Sequence, residues 1–436
     1  MDLLPIIQFG IAIQKNVFKM QKIKTGTLFS GTGTVDCVLR DLNLKLNLAV
    51  EYDPEIAEIY ALNHGSQHLR VHPVEELVNP PELDFLWYSP VCDNASDANP
   101  NKAEQVEDLT AIEAVLKLHR DRTPLVSVCE NVWGYRKFES FKRLVKGLQE
   151  LGYWVSLDAK DEPWKLNAAD YGSPQTRIRL FLVASRIGEI KKPQPTHSKD
   201  PESGLLPWEG WYNAIADLIP TLPYYVPRLD TEGNWIQGQW CQSRDKYGNN
   251  PIFPVFDKKF KGLADWQVSR WRSHFETKQG LHKVSLLDSK NSGRPITVRS
   301  GCEPSFTVIA DGASSHRARV ALIERVGTSS GKLYAINPNT PSHTIRSFGR
   351  GCDRQWHKHD CVIFNDSESF DELIKGVKVF PLDALCLARL MGLKDFKFPQ
   401  RGEIRQSASI DAEVIGNGVC YQVARAIMLQ VLSAIA

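Results

Sequence analysis

A chain of 436 residues with 42% hydrophobic content can bury a sizeable core, and its length favours two or three domains. A charged fraction of 24% without long low-complexity runs argues against a disordered chain. The net charge of +2 is unevenly spread: residues 257–354 carry about seventeen lysines and arginines against about eight acids, a pattern that suits either a polyanion-binding face or a solvated surface.

The opening Leu3–Ile13 is apolar, lacks a basic flank and is too short to span a bilayer, so residues 1–23 read as an N-terminal extension and no membrane association is expected. Thr25–Phe29 is a strand candidate, followed by a Gly-containing turn and a helix over Val35–Leu42. Leu46–Glu51 and Pro54–Asn63 repeat the strand–helix unit. Leu83–Tyr88 and Leu125–Cys129 are short apolar runs that end in polar residues. Helical periodicity covers Phe138–Leu151, and Leu180–Ala184 reads as a buried strand. This alternation predicts a mostly parallel sheet covered by helices.

From about residue 187 Pro, Gly, Trp and Ser become frequent. Helical periodicity returns near Ala264–Phe275, and short strands are expected at Pro295–Arg299, Ser305–Ile309 and Ser342–Arg346. Helices follow at Leu382–Leu393 and Val419–Ile435. The pattern is a split α/β domain with an irregular insert. The nine cysteines form no Cys-x-x-Cys pair, which suggests neither a zinc site nor a disulfide framework and fits a reduced cytoplasm.

Four segments carry chemistry. Phe29-Ser30-Gly31-Thr32-Gly33-Thr34 joins a strand to a helix, where small residues let backbone N–H groups approach a ligand beside a helix N-terminus. Glu51 ends the next strand, where an acid suits the hydroxyls of a ribose. Together they point to a nucleoside-containing cofactor, an NAD(P)-type dinucleotide included. Ser89-Pro90-Val91-Cys92-Asp93-Asn94-Ala95-Ser96 places a cysteine in a polar loop after a strand, as a nucleophile or an inert thiol. Val128-Cys129-Glu130-Asn131-Val132 ends another strand with a carboxyl group, which can serve a base ring or cap a helix. In Gln175-Thr176-Arg177-Ile178-Arg179, strand alternation would send Gln175, Arg177 and Arg179 to one face, towards an anion or into a salt-bridged sheet edge.

In order and spacing these four segments resemble the DNA cytosine C5-methyltransferases of bacterial or phage type. Pro381-Leu382 through Ala388-Arg389-Leu390-Met391-Gly392 resembles that family's late helix, and Ile415-Gly416-Asn417-Gly418-Val419 its final motif. The likeness covers residues 24–185 and 380–434. It departs from the family where Val91 replaces a proline and Asp93 a glutamine beside Cys92. Val71 and His72 stand where the adenine-binding acid is expected, and Leu385-Cys386 replaces an Arg-Glu pair.

The resemblance implies an α/β fold, a Rossmann-like S-adenosylmethionine methyltransferase domain with helices on both faces of a mostly parallel sheet. A smaller strand-containing target recognition domain would accompany it. The boundaries expected are 24–190 with 376–436 for catalysis and 191–375 for recognition. S-adenosylmethionine would lie against Phe29, Ser30, Gly31, Thr32, Gly33, Glu51, Tyr52, Asn417 and Val419. The thiolate of Cys92 would attack C6 of a flipped-out cytosine, Glu130 would serve N3, Arg177 the base carbonyl, and Arg179 the loop of Cys92 or the nucleotide; no metal is needed. Ser96, Gln175, Arg294, Arg299, Arg317, Arg319, Arg346 and Arg350 are the expected DNA contacts. The implied setting is a cytoplasmic monomer acting on duplex DNA, with a cognate restriction endonuclease as a separate partner. Methylation of tRNA and a catalytically silent DNA-binding homologue are the competing readings.

Overall fold

The computed structural model describes residues 23–90, 104–222, 225–229, 235–240, 287–288, 297–298, 319–326, 332–336, 341–342, 359–364, 378–399, 411 and 414–435. Contacts divide the chain into two compact units. One comprises Met1–Trp208, Met391–Pro399 and Asn417–Ala436; the other comprises Glu209–Leu390 and Gln400–Gly416.

The first unit is built on an eight-stranded sheet. Its strands are β1 (Lys24–Leu28), β2 (Lys45–Glu51), β3 (Leu69–Val71), β4 (Phe85–Tyr88), β5 (Val126–Asn131), β6 (Trp154–Val155), β7 (Trp164–Asn167) and β8 (Ile178–Ser185). The order is β3-β2-β1-β4-β5-β8-β6, with β7 also on β8. From β3 to β5 every pairing is parallel, whereas β8 runs antiparallel to β5, β6 and β7. All four residues of β4 are buried, as expected for a central parallel strand with both faces covered. The sheet is therefore mostly parallel and Rossmann-like, as the sequence implied.

Helices α1 (Thr34–Asp41), α2 (Pro54–His64) and α4 (Glu139–Glu150) fall near the predicted spans, whereas α3 (Val106–Arg122) was not expected from the sequence. Their starts follow from local chemistry. Asp53 caps α2, accepting from the N–H groups of Glu55 and Ile56, and Pro54 suits the first turn. At α3, Gln105 and Asp108 form a reciprocal capping box. Leu28, Leu86, Ile112, Leu116, Leu144 and Leu182 lie in the main core cluster.

Boundaries shift where the chain must turn. Phe29 leaves β1 with φ +53°, and β5 runs on through Glu130 and Asn131. Glu130 is thus a strand residue and not a helix cap. After β8 come a two-strand pairing, β9 (His197–Ser198) with β10 (Leu206–Pro207).

The second unit holds α5 (Trp211–Ile215), β11 (Tyr225–Leu229), β12 (Trp235–Trp240), the pair β13 (Leu287–Asp288) and β14 (Thr297–Val298), β15 (Arg319–Val326), β16 (Lys332–Ile336), β17 (His359–Phe364), β18 (Lys378–Pro381) and α6 (Ala384–Leu390). A six-stranded antiparallel sheet in the order β12-β11-β18-β17-β15-β16 is its centre. Of the strands expected in the insert, Pro295–Arg299 is met by two residues of β14. Ser305–Ile309, the helix Ala264–Phe275 and most of Ser342–Arg346 lie outside the described residues. The sequence reading missed β15, β16 and β17, although Arg-Val-Ala-Leu-Ile-Glu-Arg-Val is rich in β-branched residues.

The chain returns to the first unit with α7 (Tyr421–Ile435), which packs on α1 and buries Val423, Ile427, Met428 and Val431. By length and apolar composition the stretch Val414–Ile435 could cross a membrane; here much of its apolar face serves the protein core.

Candidate active site at the strand C-termini

The C-terminal ends of β1, β2, β4 and β5 point the same way, and the strand order reverses between β1 and β4, the switch point beside which sheets of this kind bind their ligands. The turn after β1 is fixed by side chains. Ser30 donates its N–H to the carbonyl of Val50 at 2.9 Å, and its Oγ accepts from the N–H of Val50 at 3.0 Å. The turn is thereby joined to β2. Gly31 (φ +55°) and Gly33 (φ +79°) occupy the left-handed region that favours glycine.

Glu51 is buried at the end of β2. Its carboxylate accepts from the N–H of Gly31 at 2.9 Å and from that of Asp53 at 2.9 Å. Burial pushes its pKa up, against those backbone hydrogen bonds. The N–H of Tyr52 also donates to this carboxylate. A carboxylate has about four acceptor positions, so three backbone bonds leave room for one ribose hydroxyl. Next to it the Tyr52 side chain is 61% exposed.

These residues fit a nucleoside-bearing cofactor on independent grounds. A Cβ at Gly31 would enter open space, so the turn has room on that side. The hydroxyl of Thr32 is buried with no hydrogen-bond partner among the described residues. The far motif arrives as expected: the N–H of Val419 donates to Oγ1 of Thr34 at 3.0 Å, bringing the segment of Asn417 to the first turn of α1.

The second half of the site lies at the ends of β4, β5 and β8. Glu130 is buried, and Nε of Arg179 lies 3.4 Å from its Oε1. Burial raises the pKa of Glu130, opposed by Arg179, by Arg177 and by a hydrogen bond from Ser89. The carboxyl group therefore keeps a proton more readily than an exposed glutamate would. Arg177 is buried too, with its N–H donated to Oδ1 of Asn167 at 3.0 Å and its carbonyl accepting from Ala168.

Two sequence expectations need correction here. Strand β8 begins only at Ile178, so strand alternation does not govern Gln175 and Arg177. Nor is β8 a salt-bridged edge, since β5 flanks it on one side and β6 and β7 on the other. Gln175, expected at DNA, is fully buried, and its Nε2 meets Sδ of Met391 at 3.3 Å.

One residue of the site carried no role in the sequence reading. Buried Asn131 donates from Nδ2 to the carbonyl of Pro90 at 3.0 Å, fixing the end of β4 against the end of β5. Its position directly after Glu130 was the available signal. Cys92, Ser96, Arg294, Arg299, Arg317, Arg346 and Arg350 lie outside the described residues, and Arg319 is seen only as the first residue of β15.

A family model described as C-5 cytosine-specific DNA methylase matches residues 23–433. The chain is 27% identical to Type II methyltransferase M.AquIA of Picosynechococcus sp. over 221 residues, 46% of this chain and 89% of that protein. It is 28% identical to Type II methyltransferase M.FnuDI of Fusobacterium nucleatum over 187 residues, 41% of this chain but only 52% of that protein. Among solved structures, DNMT2 of Spodoptera frugiperda superposes with a TM-score of 0.51 at 13% identity, covering 94% of this chain and 100% of that one. A DNA modification methyltransferase encoded in an E. coli prophage gives 0.50 at 16%, covering 95% and 99%. At such identities the superpositions speak for the fold. The family match spans nearly the whole chain, and the protein belongs to the C-5 cytosine-specific DNA methylases, which take their methyl group from S-adenosylmethionine.

Proposed function

We propose that this enzyme methylates cytosine C5 in duplex DNA at a specific sequence, through a covalent bond between Cys92 and C6 of an extruded base. The observation that carries this reading is the joining of Glu130, Arg179 and Arg177 at the end of β5, beside the Asn131–Pro90 tether that lies two residues before Cys92.

Each residue then has a chemical task. The thiolate of Cys92 bonds to C6 while Glu130 delivers a proton to N3, which turns the ring into an enamine nucleophilic at C5. Arg177 holds the carbonyl oxygen of the base, and Arg179 holds Glu130 in place. The cofactor supplies an electrophilic methyl group on its sulfonium sulfur. Loss of the C5 proton to a base and cleavage of the C6–S bond return the thiolate, and the N3 proton goes back to Glu130. Ser30, Gly31, Thr32, Glu51, Tyr52, Asn417 and Val419 hold the cofactor, with Phe29 and Gly33 shaping the turn.

We assign target recognition to the antiparallel unit. Arg294, Arg299, Arg317, Arg319, Arg346 and Arg350 fall in its sequence, and such residues anchor phosphates around a flipped base. Ser96 would contact the DNA from the loop of Cys92. The type II names of the relatives make a separate endonuclease of the same specificity the expected partner, in the cytoplasm.

The test is a covalent trap: duplex DNA carrying 5-fluorocytosine, with S-adenosylmethionine, should give a denaturation-resistant adduct that Cys92→Ser abolishes. Absence of any adduct across all cytosine contexts would overturn the mechanism. Methyl transfer to tRNA alone would overturn the substrate.

A further inference from the structure

Beneath the cofactor turn lies a buried polar chain that the proposed chemistry does not use. Asp36, in the first turn of α1, is 1% exposed. Its carboxylate accepts from Oγ1 of Thr27 at 3.1 and 3.2 Å and from the hydroxyl of Tyr60 at 2.9 Å. Tyr60 in turn meets Nε2 of His68 at 2.9 Å. On the other side, Oγ1 of Thr27 lies 2.9 Å from Oγ of Ser30, the residue that joins the turn to β2. Asp36 is therefore two hydrogen bonds from the floor of the turn.

Among the described residues no cation pairs with this carboxylate. The groups facing the region from each element are Thr27 on β1, Tyr60 and His64 on α2, His68 beyond it, Cys37, Arg40 and Asp41 on α1, and Tyr421 and Arg425 on α7. Burial holds His64 neutral, down to about 3, and lowers His68 as well. A buried carboxylate without a countercharge is costly, and burial pushes Asp36 up to about 7. Such a cost persists where a ligand repays it.

We propose that Asp36 is a positioning residue of the cofactor turn, whose negative charge favours the cationic methyl donor over its product, in which the sulfur is uncharged. The inference rests on the reading that S-adenosylmethionine lies on the Ser30–Gly33 turn. The buried surroundings screen the charge poorly, so it acts across more than contact distance. Donor binding then draws the proton off Asp36, and loss of the sulfonium charge on transfer weakens the hold on the product.

Calorimetric titration with S-adenosylmethionine and with S-adenosylhomocysteine, at pH 6, 7 and 8, tests this. For the native chain the preference for donor over product should rise several-fold from pH 6 to 8, with proton release on donor binding below pH 7. Asp36→Asn should make that preference pH-independent and weaken the donor several-fold at pH 8, while leaving the product nearly unaffected. Its apo melting temperature at pH 8 should equal or exceed that of the native chain, because a buried charge has been removed. Thr27→Val, which deletes one hydrogen bond to the carboxylate, should move the pH midpoint upward. A pH-independent preference in the native chain would overturn the proposal. So would equal loss of both ligands together with a lower melting temperature in Asp36→Asn, the signature of a purely structural residue. If neither ligand binds the native chain at any pH, the reading of the turn itself fails.

Discussion

Arg179 and Glu130 stand on antiparallel neighbours, β8 and β5, with Nε 3.4 Å from Oε1 and both side chains largely enclosed. The pair sets the charge balance of the site. Burial favours the protonated acid, and the guanidinium favours the carboxylate.

Glu130→Gln should lower kcat by about 10²–10⁴-fold, the usual contribution of a general acid, while leaving affinity for S-adenosylhomocysteine within about two-fold. Because the working form is protonated and its pKa is raised, activity should fall on the alkaline side as that proton is lost. The glutamine variant should lack that limb. Steady-state kinetics against pH measure both.

Arg179→Ala removes the partner of a buried carboxylate. The expected cost is about 2–4 kcal/mol in urea unfolding, with Arg179→Lys intermediate because it restores charge without the planar fork. Unchanged stability in both variants would show that the pair is not what stabilises this end of the sheet.

Gly31 and Gly33 should respond differently to alanine. A Cβ at Gly33 would collide with the ring of His64 and lie 2.9 Å from Tyr60, in a left-handed backbone. Gly33→Ala should therefore cost about 2–3 kcal/mol of stability and lose cofactor binding with it. At Gly31 the new methyl group meets no atom of the described residues, so the stability cost is near 1 kcal/mol, about that of the strained φ. Its effect should fall on cofactor affinity. Thermal melts with and without S-adenosylhomocysteine separate the two.

Asn131→Ala should leave the carbonyl of Pro90 without its donor in a buried place, costing about 1–3 kcal/mol. The loss should appear in kcat and in trapping by 5-fluorocytosine DNA, with cofactor affinity kept. A variant with full trapping rate would remove Asn131 from the site.

His119 gives a pH prediction for the fold. Its Nδ1–H donates to the carbonyl of Val115 at 2.9 Å, so Nε2 accepts from Ser127 at 2.8 Å, and burial takes its pKa down from 6.5 to about 4. A depressed histidine contributes stability above its unfolded pKa and loses it as the pH falls from 6.5 towards 4, about 3 kcal/mol in all. His119→Gln should flatten that part of the stability curve, measured by denaturant unfolding between pH 7 and 4.5.

The sequence by itself determined the elements whose signals are local. The β1 turn is legible because Gly31 and Gly33 favour its left-handed backbone, and α2 because Asp53-Pro54 is a helix start. The end of β2 is legible because its apolar run stops at Glu51, whereas β5 runs two residues past its apolar stretch. Tertiary structure alone decided which distant groups meet: Arg179 with Glu130, Asn131 with Pro90, Val419 with Thr34, and Gln175 with Met391. It also decided the antiparallel direction of β8 and the burial of Asp36. Direction and burial depend on how whole elements stack, and a short apolar segment carries the same pattern whichever way it runs.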